Sequence, residues 1–253
     1  MIKRESGEEN LRKYVATLLA FVILIYALSV VPAFAQGPPE LQRIIFIHPA
    51  KPPKPPSGGG GENGYFKLIA GGVRWRSFPV PLEVNPALSG LDSGAVLIAV
   101  GTAAEEWDSG AVSGWGGVAP DLVNDAIGIT EKTYANLAWT SDKLDGANTL
   151  VWGNYPTSGV IAVTILWYNT ATKTIVEFDI VFDTDYKWRT AGTSDAMDLQ
   201  NIATHEIGHG AGLGDVYQDA AYKETMYGYS SLGEISKRDL YTGDKQGITK
   251  LYG

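Results

Sequence analysis

The 253-residue chain contains no cysteine and only three histidines, His48, His205 and His209. The first absence excludes disulfides, thiolate metal sites and a cysteine nucleophile. The second limits any metal centre to three imidazoles. Basic residues are also scarce, with 20 Lys and Arg against 28 Asp and Glu, a net charge of −8. Nucleic-acid partners are therefore not expected, because phosphate binding needs clustered cations. The composition is 45% hydrophobic and 19% charged, which excludes a fully disordered chain. Glycine is abundant, at 30 residues.

The N-terminal region reads as a targeting segment. Lys3, Arg4, Arg12 and Lys13 precede an uncharged run from Tyr14 to Ala35 that closes on Ala33-Phe34-Ala35. A basic start, an apolar stretch and a small-x-small site suit a secretory signal peptide over 1–35. The run is also long enough to act as an uncleaved anchor. Both readings put the remainder outside the cytoplasm, either secreted or membrane-anchored, with membrane contact only if the segment stays uncleaved. Residues 36–64 read as a Pro/Gly-rich linker or short prosegment, with PAKPPKPPSGGGGENG at 49–64. Inside it, LQRIIFIH at 41–48 is β-like. It suits either a strand added to the domain edge or a short prosegment in a cleft. His48 reads as an ordinary member of that run.

From residue 65 the chain has globular composition. Residues 78–85 alternate, and their prolines suggest an edge strand. A helix is expected over 91–107, capped by Asp92 or Ser93, with Val96, Val100, Ala103 and Trp107 on its apolar stripe. β-like runs follow at 136–140, 148–153 and 160–168. In the strand 174–182, Val176, Phe178, Ile180 and Phe182 share one face, with Glu177 and Asp179 opposite. Asp198 caps a helix through Gly210, and a last helix covers 244–251. Strands followed by helices in this order indicate an α+β domain layered on a twisted sheet, spanning 65–253.

Residues 205–215 read HEIGHGAGLGD. His205 and His209 stand at i and i+4, so they share a helix face and suit two ligands of one tetrahedral zinc. Glu206 can act as general base on a zinc-bound water. Gly212 can adopt positive φ, end the helix and return Asp215 as third ligand. Asp219 is a fallback on spacing.

These residues resemble the metzincin zinc metallopeptidases, the matrixin-like branch most closely. DGANTLVWG at 145–153, IVEFDIVFDTDYKW at 175–188, DLQNIATHEIGHGAGLGD at 198–215, ETMYGYS at 224–230 and GDKQGITKLYG at 243–253 look like consecutive matrixin blocks. The resemblance implies a mostly parallel sheet with an active-site helix and a C-terminal helix. It implies a secreted zinc endopeptidase with His205, His209 and Asp215 on the metal, Glu206 as base and Met226 in the Met-turn below. Asp215 stands where most metzincins carry histidine, a substitution similar to that of the snapalysins. Val181 falls where a structural-zinc histidine is expected, while Asp183 and Asp185 are candidate calcium ligands. Tyr227 and Tyr229 are candidates for the substrate pocket. The implied partner is an extended protein or peptide substrate that pairs with the edge strand 160–168. Without cysteine, the family's cysteine-based latency is excluded, which leaves 41–48 or an acidic residue for that task. The alternative is a catalytically inactive, metal-stabilised extracellular binding module.

Overall fold

The computed structural model describes residues 41–51, 65–110, 122–124, 126–137 and 144–253. The signal or anchor segment, the linker 52–64 and most of the run 136–140 lie outside the described residues. Contacts divide the chain into 1–39 and 40–253, and every described residue belongs to the second unit.

The strands are β1 (Leu41–Pro49), β2 (Lys67–Leu68), β3 (Glu83–Val84), β4 (Gly128–Ile129), β5 (Thr149–Gly153), β6 (Val160–Asn169), β7 (Thr174–Asp183), β8 (Trp188–Arg189), β9 (Met197–Asp198) and β10 (Leu213–Gly214). The helices are α1 (Ser93–Gly110), α2 (Leu199–Gly210) and α3 (Thr242–Tyr252). Six strands form one sheet in the order β1-β6-β7-β5-β3-β4. Strands β7, β5, β3 and β4 run parallel to one another, and β6 is antiparallel to both β7 and β1. The fold is therefore α+β on a mixed, mostly parallel sheet. Strand β3 lies between β5 and β4, not at an edge as the prolines around it suggest. Pro79 and Pro81 fall before its two paired residues, where a missing N–H removes no ladder bond.

Helix α1 begins where its cap residue predicts. Asp92 Oδ1 accepts from the N–H groups of Gly94 (2.9 Å) and Ala95 (3.3 Å). Val96, Val100, Ala103 and Trp107 are fully buried along its inner stripe. They meet Ile202, Ala203 and Ile207 of α2 and Phe178, Ile180 and Phe182 of β7 in the main core. Trp107 Nε1 donates to the Thr204 carbonyl at 2.7 Å, which ties α1 to α2.

Strand β7 departs from simple alternation. Tyr168 pairs with Ile175 and Trp167 with Glu177, so Val176 is an extra residue that bulges outward. Ile175 takes its place on the core face, and Val176 is 36% exposed. Glu177 and Asp179 do face the other side, but that side is covered too. Val151, Val163, Trp167 and Val181 form a second apolar cluster there. The loop before β5 closes over the two acids. Glu177 accepts from Asp145 and Gly146 N–H (3.1 and 2.6 Å), and Asp179 accepts from Thr149 N–H (3.0 Å).

Candidate metal centre

Helix α2 is buried along almost its whole length. Asp198 caps it by accepting from Asn201 N–H at 3.0 Å and is itself held by Arg238, Nε to Oδ1 at 2.8 Å. A helix inside a core needs flat faces where neighbours press closest. A Cβ on Gly208 would lie 2.4 Å from Met226 Sδ and 2.5 Å from Trp107 Cζ2. The glycines that weaken this helix by propensity are thus required by packing. Gly212 has φ +106°, and a Cβ there would meet the Val73 carbonyl at 2.4 Å. The expected glycine turn ends the helix and returns the chain through β10 to Asp215.

The two imidazoles are oriented by main-chain carbonyls. Nδ1 of His205 is 2.7 Å from the Thr225 carbonyl, and Nδ1 of His209 is 2.8 Å from the Leu213 carbonyl. A carbonyl can only accept, so both Nδ1 atoms carry the proton and both Nε2 lone pairs face inward. These Nε2 atoms lie 3.3 and 3.5 Å from Asp215 Oδ1. His205 Nε2 and Asp215 Oδ1 are buried and have no hydrogen-bond partner among the described residues. Ligand atoms about 2 Å from a tetrahedral zinc stand roughly 3.3 Å apart, which fits these separations. Buried, unpaired, converging lone pairs at that spacing can hold a metal ion, and these three residues form one metal-like group. A second group shares His205 and adds His48 and Glu206.

The electrostatics agree. Burial pushes Asp215 up, but the His209 charge and the contacts to both histidines hold its pKa well below the carboxylate range. Burial pulls His209 down, and Asp215 more than reverses it. His205 is lowered to about 4, by burial first and then by His48. Two imidazoles thus hold a buried carboxylate ionised, the donor set that a divalent cation would complete. Glu206 is fully buried, and burial raises its pKa.

Met226 lies fully buried under α2, in a turn fixed by Asp244, which accepts from Thr225 and Met226 N–H at 2.7 and 3.0 Å. Tyr227 packs with Val216 and Ala221, and Tyr229 lies beside it. Tyr217 touches the metal-like group directly: its phenol is pushed up by burial and by its charge contact and hydrogen bond with Asp215. Sequence reading missed Tyr217. The glycine at 228 was its signal, since a Cβ there would lie 2.4 Å from the Tyr217 ring. Asp219 is exposed and outside both groups. Calcium finds no support. Asp183 already accepts from Asp185 and Tyr155 N–H (2.7 and 3.0 Å), and neither Asp183 nor Asp185 joins a metal-like group among the described residues. Val181 is packed in the outer cluster.

Two expectations are corrected around β1. Strand β6 is not a free edge, because β1 pairs with it over its whole length. His48 is not an ordinary strand residue. It is buried, its Nδ1 is 3.0 Å from Glu206 Oε1, and its ring lies 4.0 Å from that of His205. Burial, and then the Lys237 charge, lower its pKa to about 3. Its rarity in a three-histidine chain was the available signal.

The pattern described as matrixin, a peptidase family, matches residues 163–253, which hold most of β6, then β7, α2, the Met226 turn and α3. Over 75 residues, 29% of this chain, the sequence is 43% identical to metalloendoproteinase 1-MMP of Arabidopsis thaliana. That stretch spans 18% of the plant protein. The matched segment and the mixed sheet together make the fold metzincin-like. Among the described residues, no helix is long and apolar enough to cross a membrane.

Proposed function

We propose that the chain is a secreted zinc-dependent endopeptidase, with His205, His209 and Asp215 as metal ligands and Glu206 as general base. The observation that carries this reading is the convergence of the two inward Nε2 atoms and Asp215 Oδ1 beside a buried carboxyl group. The matrixin match over 163–253 supports it at family level. In this reading 1–35 is the export signal, 36–64 the linker or prosegment, and 65–253 the peptidase domain.

Bound zinc would supply a Lewis acid that lowers the pKa of water and polarises a carbonyl. Glu206 takes the proton from the attacking water and delivers it to the leaving amine. Burial favours this role, since a carboxylate with raised pKa is a stronger base towards the attacking water. Thr164 Oγ1 donates to Glu206 Oε2 at 2.5 Å and fixes the group's orientation. Met226 walls the site from below, and the 227–231 segment, with Tyr227 and Tyr229, forms its side wall. The inactive binding-module reading is not favoured, because structural zinc has no use for a carboxylate beside it.

The test compares wild type with Glu206→Gln for casein hydrolysis, with bound zinc quantified in both. Because β1 lies across the site, both proteins are assayed intact and after cutting within 52–64. Loss of a general base costs about 10²–10⁴-fold, so the variant should keep its zinc and lose turnover by that factor. Equal turnover in the two cut proteins, or none in either with zinc bound, would refute the assignment.

A further inference from the structure

The strand that covers the site lies as a peptide would lie. β1 is antiparallel to β6 from Leu41↔Asn169 to His48↔Ala162. Past the strand, Ala50 N–H donates to the Gly159 carbonyl and Lys51 N–H to the Ser230 carbonyl, both at 2.8 Å. The segment is thus clamped on one side by β6 and on the other, at its C-terminal end, by the wall that follows Met226. Its inward side chains roof the metal-like group. The Phe46 ring stacks on His209, centroids 4.1 Å apart and 13° from parallel, and His48 covers His205. His48 Nδ1 engages one oxygen of Glu206 and Thr164 the other, so both oxygens of that carboxyl group already have a protein partner. His48 Nε2 is buried and has no hydrogen-bond partner among the described residues.

Opposite features mark the outer face. Leu41, Ile45 and Ile47 are 47%, 39% and 42% exposed, an apolar row unusual for a permanent edge strand. The segment joins the rest of the domain through PPKPPSGGGGENG at 52–64, a composition suited to a tether. The pairing register breaks between His48 and Pro49. The bond leaving His48 is an X–Pro bond, whose nitrogen carries no N–H and whose ring fixes φ.

We propose that residues 41–51 are a built-in pseudosubstrate. They fill the peptide groove in the direction of β-augmentation, and His48 seals the metal centre against Glu206, so the intact chain is latent until the segment leaves. This rests on the peptidase reading above. The latch is a histidine carried on a β-strand, in a chain that has no cysteine for the purpose. Its removal exposes the edge of β6 to an extended peptide with apolar side chains at alternate positions, as Ile44 and Phe46 are now.

The test uses the zinc-loaded full chain with a site-specific protease sequence replacing Gly58–Gly61. Casein hydrolysis is measured intact, and again after cutting and removal of the freed fragment. A fluorescent peptide of sequence 41–51 is then titrated back and followed by anisotropy. The intact chain should hydrolyse at a small fraction of the cut rate, and the peptide should bind and inhibit. Loss of the buried His48 contact should weaken the peptide about tenfold or more in its His48→Ala version. Equal rates before and after cutting overturn the proposal, as does a peptide that fails to bind. A peptide that binds through His48 to a zinc-loaded cut chain without activity supports the placement and overturns the peptidase reading instead. An intact His48→Gln chain reports independently. Its cobalt(II)-substituted absorption spectrum should differ from wild type if His48 reaches the metal, and an identical spectrum removes that contact from the latch.

Discussion

Replacing Asp179 by asparagine should make the protein more stable in mild alkali. Asp179 is 1% exposed on the outer face of β7, and its principal compensation is the Thr149 N–H. Burial, followed by the Glu177 and Asp145 charges among the raising influences, lifts its pKa from 3.8 to about 8. In the unfolded chain the carboxyl group ionises near its ordinary value. Between these pH values the folded chain holds a proton that the unfolded chain has lost. Its stabilising effect is therefore complete below about pH 4, declines as pH rises, and is gone above about pH 8. The gap corresponds to at most ~6 kcal/mol, and relaxation around the ionised group reduces this to roughly 2–4 kcal/mol. Asparagine keeps an acceptor for Thr149 and cannot ionise. Urea unfolding of both proteins at saturating zinc, from pH 5 to pH 9, isolates the effect, because other titrating groups cancel in the difference. Asp179→Asn should exceed wild type by a margin that widens from pH 5 to about pH 8 and levels off above it. Parallel stability curves across that range would refute the buried-acid account.

Gly208→Ala sets two effects against each other. Alanine gains about 1 kcal/mol in helix propensity, whereas forcing a Cβ against Met226 and Trp107 costs about 1–3 kcal/mol. The net should be a fall of a few degrees in Tm by calorimetry, and an unchanged or higher Tm would show that the methionine turn yields freely. Tyr217→Phe removes the hydroxyl that contacts Asp215. Loss of a group that orients a ligand typically costs 10–100-fold in metal affinity, so chelator competition should show zinc held about tenfold more weakly, with the fold unchanged by circular dichroism. Unaltered affinity would make Tyr217 a packing residue.

What was legible in the sequence is what short-range chemistry decides. Asp92 and Asp198 cap their helices because a carboxylate two or three residues before free N–H groups has one obvious use. Gly212 turns the chain because only glycine tolerates its φ beside the Val73 carbonyl. The i, i+4 histidines converge because helical spacing makes them. Long-range covering was not legible. Glu177 and Asp179 read only as the face opposite the apolar one, and no local pattern shows that the 144–149 loop folds over them. The run 41–48 carries the alternation of any edge strand, and nothing within it says which edge it joins. His48 meets Glu206 across 158 residues of chain, a pairing that local pattern cannot encode. Yet the two facts explain each other. An alternating strand whose inward positions are isoleucine, phenylalanine and histidine satisfies apolar walls along most of its length and a polar, lone-pair-rich centre at one point. β6 with the cluster below it offers that sequence of surroundings. The placement of histidine at the end of the run, immediately before the proline that stops the ladder, sets the register in which imidazole and carboxyl group meet.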